Sequence, residues 1–421
     1  MNNHKRYTMR NTGLIIAITI IKRRLSGVVI RLILGLTAVC LPVFAGEGLF
    51  LLGNDALQLG RASSGVASPR SAYWSYMNPA SMVDLERRLD INWYSMIGKV
   101  VFEPRGVIGN RLNNRLEVTE MSHIVSGGAV WPVKSGAIGG GIFIPSGSGI
   151  EYPYARNIFT RLFQGNRDRR QAYQHIRGVL AYAHEFDNGW ALGLGVHLSL
   201  SRFRSDHFTL GMRPAAYNNK WDNAFGAGIS VGVYRSWERF SVGANYSPRH
   251  WTQSMKKYRD LLYHPMDTPQ VVQAGIAYKV SPDIEIAVDY RWMNWQEIGV
   301  YGAPIIDGGY NWRDQHGVRV GVEWNVHPRW TLLGGYAYSN SPITENNVFT
   351  AALAPATTEQ HFTAGLSHAV NEKHRVHLVG VYAPSKKLRD TGRGGLFSWL
   401  AKGSTINTSG MSAMIGYSFL W

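Results

Sequence analysis

Apolar and polar residues alternate with a period of two through most of this chain. Between Trp190 and Leu200, one face carries Leu192, Leu194, Val196, Leu198 and Leu200, and the other Gly193, Gly195, His197 and Ser199. Phe225, Ala227, Ile229, Val231 and Val233 likewise oppose Gly226, Gly228, Ser230 and Gly232. Ile284, Ile286, Val288, Tyr290 and Trp292 oppose Glu285, Asp289 and Arg291, and Val318, Val320, Val322 and Trp324 oppose Arg319, Gly321 and Glu323. This period predicts strands with one apolar face. They are expected near 89–103, 122–133, 135–151, 173–186, 190–205, 223–237, 239–257, 269–281, 283–298, 314–326, 329–341, 359–370, 372–388 and 405–421, roughly fourteen in all, an even number as bacterial barrels require.

A soluble sandwich would alternate too, but three details favour a membrane barrel. The non-apolar face carries charges of both signs and many glycines, as a crowded polar lumen would. Apolar stripes end in Tyr290, Trp292, Trp324, Tyr336 and Tyr338, which suits an aromatic girdle. Links alternate in length: tight ones such as Asp187-Asn188-Gly189, Ser281-Pro282-Asp283, His327-Pro328 and Asn371-Glu372 take turns with longer ones, as periplasmic turns and extracellular loops do. The chain stops on Met411, Ala413, Ile415, Tyr417, Phe419 and Trp421, a final strand that looks like the signal read by barrel-assembly machinery.

The stretch from Gly60 to Met82 breaks the alternation. It is rich in Gly, Ser, Ala and Pro and contains Asn78-Pro79-Ala80. Small polar residues make a poor core but a good plug inside a polar cavity. Gly60, Arg61, Asn78, Pro79 and Ala80 are therefore assigned to a hatch within the barrel. Asn-Pro alone marks only a turn.

Composition narrows the picture. Of 421 residues, 45% are apolar, and past residue 45 no apolar run approaches the length of a spanning helix, about 18 residues. A membrane form of this chain must cross as strands. The 46 glycines, and the 35 Trp and Tyr residues, fit closely spaced strands with interfacial anchors. The first 45 residues resemble an export signal, with Lys22-Arg23-Arg24 and Arg31 flanking an apolar run to Phe44 and a small-residue cleavage site at Ala45. The 21 residues ahead of Lys22 are long for a signal, so the true start is expected to lie later. The division expected is 1–45 signal peptide, 46–88 hatch and 89–421 barrel. Cys40, the only cysteine, falls in the signal, which excludes disulfides and thiolate metal sites from the mature chain.

The first 45 residues hold seven of the 44 Lys and Arg and no acid, which leaves 37 bases against 28 acids, or +9. The excess gathers between strands: Arg156, Arg161, Arg167, Arg169 and Arg170; Lys256, Lys257 and Arg259; Lys386, Lys387, Arg389 and Arg393. Solvated loops explain such clusters, as does contact with phosphates of an anionic outer leaflet; nucleic acid is not the expected partner. No catalytic constellation is present: there is no Gly-x-Ser-x-Gly elbow, and Gly193/Gly195 lies within a strand without a nucleotide loop's third glycine. His374 and His377 have helical spacing in a strand-like segment, so no metal site is assigned. Glu285 and Asp289, with Arg291 beside them, read as a salt-bridged wall. No enzyme activity and no cofactor are expected.

Three stretches resemble the FadL family of outer-membrane transporters for long-chain fatty acids and hydrocarbons: the Gly60-Arg61-Ala62 to Asn78-Pro79-Ala80 hatch, Thr268-Pro269-Gln270 through Asn294-Trp295, and Gly317-Val318-Arg319 through Ser341-Pro342-Ile343. The resemblance implies a monomeric, fourteen-stranded barrel in the bacterial outer membrane, plugged by its N-terminal hatch. Ligand would be captured by loops and leave sideways through a kink in the third strand. Here that strand reads Gly139-Gly140-Gly141-Ile142-Phe143-Ile144-Pro145, and Gly139, Gly140, Gly141 and Pro145 suit a bulge or gap. The family's long loops after the fifth and seventh strands look short here, at 206–222 and 258–268. Capture is assigned instead to Phe159, Arg161, Leu162 and Phe163 in the 152–172 loop, and to Phe50 and Leu51 near the mature N-terminus. The partners implied are a hydrophobic small molecule, outer-membrane lipid and lipopolysaccharide, and the assembly machinery, through Tyr417, Phe419 and Trp421. The competing reading is an adhesin or structural barrel with a fixed plug, and a narrower one is a channel specific for aromatic hydrocarbons.

Overall fold

A computed structural model describes residues 47–109, 115–152, 169–206, 220–352 and 354–421. Fourteen antiparallel strands follow chain order around a closed sheet: β1 (Arg88–Glu103), β2 (Leu116–Val133), β3 (Gly136–Tyr152), β4 (Arg169–Glu185), β5 (Trp190–Ser205), β6 (Asp222–Ser236), β7 (Phe240–Ser247, resuming at Trp251–Thr252), β8 (Val271–Lys279), β9 (Ile284–Met293), β10 (Gln315–His327), β11 (Trp330–Ser339), β12 (Gln360–Ala369), β13 (His374–Arg389) and β14 (Thr405–Leu420). β14 closes on β1 in unbroken register from Arg88↔Leu420 to Glu103↔Thr405. Closure is what lipid demands, because every strand then satisfies its backbone on both sides.

The period of two seen in the sequence is the wall itself. On β5, Leu198 is 62% exposed and points out, whereas His197 is 1% exposed and points in. Lumen and bilayer thus exchange the usual roles of inside and outside. Aromatic residues mark the short-turn end: Trp131 meets Trp421 edge-on at 6.2 Å, and the Arg235 guanidinium lies 4.6 Å from the Trp237 ring and 5.5 Å from that of Trp190.

Three strands differ from expectation. That expected over 122–133 begins six residues earlier, at Leu116. The strand expected over 283–298 leaves the sheet at Met293, because Asn294 and Trp295 turn inward toward a cluster of aromatics. That expected over 239–257 breaks at 248–250, where Pro248 supplies no ladder donor and His250 turns into the lumen.

Residues 47–85 fill the lumen. They form a tight turn at Glu47–Phe50, α1 (Ala56–Gly60), α2 (Trp74–Met77) and a 3₁₀ turn over Pro79–Asp84. Asp55 caps α1, its Oδ1 accepting from Leu57 N at 3.0 Å and Gln58 N at 3.2 Å. The plug is less polar than its composition suggests. Tyr73, Trp74, Met77 and Met82 pack on an apolar patch of the inner wall made by Val130, Ala137, Phe143, Val179, Ala181 and Ala183.

Candidate functional site: the hatch, its seat and the β2–β3 opening

The hatch is seated on glycines. Asn78 is fully buried; its Nδ2 donates to Val66 O at 2.9 Å and to Val233 O of β6 at 3.2 Å, and its Oδ1 accepts from Ala80 N at 3.2 Å. A Cβ on Gly232 would lie 2.1 Å from Asn78 Oδ1, and one on Gly193 2.2 Å from Ala80 N. At the other end, a Cβ on Gly321 would lie 2.6 Å from Arg61 Cβ, and one on Gly335 2.8 Å from that of Ala62. The Gly-Arg-Ala and Asn-Pro-Ala ends of the segment therefore rest on opposite glycine recesses of the wall. Gly60 abuts Leu333, and its carbonyl accepts from Thr363 Oγ1 at 2.9 Å.

Ion pairs tie plug to wall. Arg70 reaches Glu285 and Glu323, each at 2.8 Å, and Arg61 lies 3.4 Å from Glu285. Asp289 accepts from Val66 N at 2.9 Å and Gln273 Nε2 at 2.8 Å. The wall residues therefore pair with the hatch: Arg291, read from the sequence as the partner of Glu285 and Asp289, instead joins Arg319 on Glu47. Glu47 is fully buried and also accepts from Ser339 Oγ at 3.2 Å. Burial pushes its carboxyl up, but the Arg319 and Arg291 guanidiniums outweigh that and hold it below the ordinary 4.5. Asp55 goes the other way: burial and then the neighbouring Asp90 push it up to about 6.

The wall is discontinuous beside the hatch. β2 pairs with β1 as far as Leu116, yet it pairs with β3 only from Val133↔Gly136 to Gly127↔Ile142. β3 continues along β4 to Tyr152, with a bulge between Phe143 and Ser146. Gly139, Gly140 and Gly141 lie on the paired side of the divergence and Pro145 within the bulge. Gly141 is crowded, since a Cβ there would lie 2.4 Å from Gly127 O. Where β2 departs, residues 49–54 take its place on the β3 edge. Phe50 bridges Ser146, Leu51 N donates to Pro145 O at 2.9 Å, and Gly147 N donates to Leu49 O at 3.0 Å. Asn54 completes the seal, accepting from Ile144 N at 2.8 Å and from Ser126 Oγ of β2 at 2.5 Å. Tyr73 of the hatch meets Phe143 edge-on at 5.0 Å.

Phe50 and Leu51 are buried, 2% and 4% exposed, so neither is available at the outer surface. Phe50 packs against Trp295 at 5.6 Å beneath an aromatic roof, in which Trp295 is 5.1 Å from Tyr301 and 5.3 Å from Trp312. Leu51 and Leu52 border a cavity of about 60 Å³, with Tyr94, Met96 and His361 beside them, against a wall thinned by Gly98, Gly410 and Ala383. Larger polar cavities of about 670 and 290 Å³ lie on the short-turn side of Arg70 and Asp84. The remaining capture residues, Phe159, Arg161, Leu162 and Phe163, lie outside the described residues. The roof went unassigned from sequence, although the density of aromatics from Trp292 to Trp312 was a usable signal. Among the described residues, no three His, Cys, Asp or Glu side chains are grouped to hold a metal.

Residues 205–389 match the family described as outer membrane protein transport protein (OMPP1/FadL/TodX). No curated protein matches the chain. Among solved structures, a Pseudomonas aeruginosa FadL homologue is 14% identical with a TM-score of 0.65, over 88% of this chain and 99% of that one. The P. putida toluene transporter TodX is 13% identical with a TM-score of 0.65, over 88% of this chain and 99% of its own. The Ralstonia pickettii toluene transporter TbuX is 16% identical with a TM-score of 0.61, again over 88% and 99%. At such identities these likenesses concern the fold, whereas the family match is one of sequence. The sequence match spans 185 of the 421 residues, and the closed barrel shares the fold of these solved structures; both are likenesses to outer-membrane proteins of the FadL/TodX type, which places the chain in the bacterial outer membrane.

Proposed function

We propose that this barrel passes a hydrophobic small molecule, a long-chain fatty acid or a hydrocarbon, from the outer surface to the lumen and releases it sideways between β2 and β3. The observation that carries this reading is that residues 49–54, and not β2, close the β3 edge. A segment held to β2 and β3 by four hydrogen bonds can leave; a paired strand of a closed barrel cannot. The cavity beside Leu51 and Leu52, about 60 Å³, is smaller than the ~150 Å³ known to admit benzene. Entry of a ring therefore requires these leucines to move, which couples occupancy to release of the seal. Transport is passive diffusion down a gradient, without cofactor or catalysis, and each buried Å² of ligand contributes about 25 cal/mol.

The aromatic roof, together with the two toluene transporters of the same fold, supports aromatic hydrocarbons as one substrate class. Residues 1–45 act as the export signal, residues 46–88 as the hatch, and Tyr417, Phe419 and Trp421 as the contact for assembly machinery. The mature protein works as a monomer among lipopolysaccharide. The ion pairs of Arg61 and Arg70 favour a second reading, a permanently corked structural barrel.

One experiment separates the two. Phe50→Cys with Ser146→Cys, in a mature chain otherwise free of cysteine, joins residues already paired as bridge partners. Labelled toluene and oleate uptake into proteoliposomes should stop on oxidation and return on reduction. Uptake that persists through the oxidised state refutes lateral release at this seam. Absence of uptake by the unaltered protein supports the fixed plug.

A further inference from the structure

The first and last long loops carry a basic surface apart from the lumen, bordered below by Glu103, whose carboxylate accepts from Thr405 Oγ1 at 3.4 Å. Residues 104–109 and 391–404 contain Arg105, Arg393 and Lys402 and no acid. They are joined through Gly106, where a Cβ would lie 2.6 Å from Leu400 O. At Gly403 a Cβ would sit 3.9 Å from both Arg105 Cβ and Arg389 Nη2, so the two arginines flank the same glycine. None of Arg105, Arg389, Arg393 and Lys402 is in an ion pair among the described residues. Beside them the short helix Leu396–Leu400 exposes Leu396 at 55% and Trp399 at 57%. The helix is moored from behind. Buried Asp390 accepts from Ser398 Oγ at 2.5 Å, Gly392 N at 2.9 Å and Val348 N at 3.1 Å. A fixed, outward aromatic among unpaired cations is built to meet something.

Its height says what. From Trp421 to Met411 the last strand covers the apolar band, about 25 Å at ~3.3 Å per residue and ~40° of tilt. Thr405, paired with Arg389, lies six residues beyond Met411. That is about 15 Å above the band by the same rise and tilt. Acyl chains do not reach this level. Anionic sugar does. Cations bind its phosphates by charge-assisted hydrogen bonds, and the indole face packs on the apolar face of a pyranose ring. We propose that Arg105, Arg389, Lys402 and Trp399 bind the phosphorylated inner-core saccharide of lipopolysaccharide. This site deepens the lipid contact proposed above and is independent of transport.

The test titrates purified, full-length mature barrel in nonionic detergent with rough-type lipopolysaccharide, with the same lipopolysaccharide dephosphorylated, and with phosphatidylglycerol micelles. Arg105→Ala/Arg389→Ala/Lys402→Ala together should weaken binding of the first probe at least tenfold, and Trp399→Ala about threefold. Heat-modifiable gel migration should stay unchanged as a check on folding. Equal binding of the dephosphorylated probe, equal competition by phosphatidylglycerol, or a triple variant that binds like the parent each overturns the proposal. Toluene uptake in vesicles lacking lipopolysaccharide should be the same for parent and variant. Loss of uptake by both would count against the transport reading alone.

Discussion

Glu47 offers the sharpest handle on the seal. Its carboxylate is fully buried and is the shared acceptor for Arg291 Nη1 at 3.2 Å, Arg319 Nη2 and Ser339 Oγ at 3.2 Å. Glu47 and Phe50 also exchange backbone hydrogen bonds at 2.9 Å each way, so the carboxylate anchors the turn that delivers residues 49–54 to β3. Glu47→Gln keeps the shape and one acceptor oxygen but leaves two guanidiniums side by side in the lumen without a counter-charge. Breaking a buried pair by removing one partner costs about 3–5 kcal/mol. Because the barrel wall persists without the hatch contact, that cost falls on the closed position of the segment. At ~1.4 kcal/mol per tenfold, the fraction of time the segment is detached should rise by about a hundredfold to a few thousandfold.

Hydrogen exchange resolved by mass spectrometry reads this directly. Amides of residues 47–54 should exchange faster in Glu47→Gln by a factor in that range, while amides of β10 and β14 keep their parent rates. Acid should reproduce the effect in the unaltered protein. The carboxyl is held below its ordinary 4.5, so its contribution is complete above that pH and is lost as pH falls through the lower folded value. Exchange at 47–54 changed by less than threefold in the variant would refute the claim that this carboxylate holds the seal.

Two further outcomes follow from the same geometry. Asn78→Ala leaves Val66 O and Val233 O without their donor, at about 1–3 kcal/mol each; planar-bilayer recordings should show leak currents absent from the parent, and a silent variant would argue against Asn78 as the seat of the hatch. For Asp55, pushed up to about 6 from 3.8, the folded chain holds its proton more tightly than the unfolded one, so hatch stability should fall as pH rises from about 4 to about 6 and level off above; Asp55→Asn should flatten exchange at residues 54–61 across that window.

The wall was legible because a barrel in lipid has one rule per residue, and Leu192 to Leu198 obey it without exception. Edges were misread where a side chain obeyed a stronger partner: Asn294 falls on the outward parity of its strand yet is buried, next to Trp295, which packs on Tyr301 and Trp312. Charge partners were harder still. Glu285, Asp289 and Arg291 are neighbours on one strand face, and the natural inference is that they neutralise one another. In three dimensions a plug stands between them and takes each separately, Arg70 for Glu285, Val66 N for Asp289 and Glu47 for Arg291.

The lumen glycines carry the other half of that lesson. Gly193, Gly232, Gly321 and Gly335 read from the sequence only as crowding in a narrow barrel, yet each is where a backbone or side chain of the hatch comes too close for a Cβ. Alternation reports which way a residue faces and cannot report what it faces. A plug supplied by the same chain converts small inward positions into a lock and inward charges into its tumblers. The seal at β3 differs in kind from both: residues 49–54 hold an edge that β2 has given up, through a few hydrogen bonds, beside a proline that has none to donate.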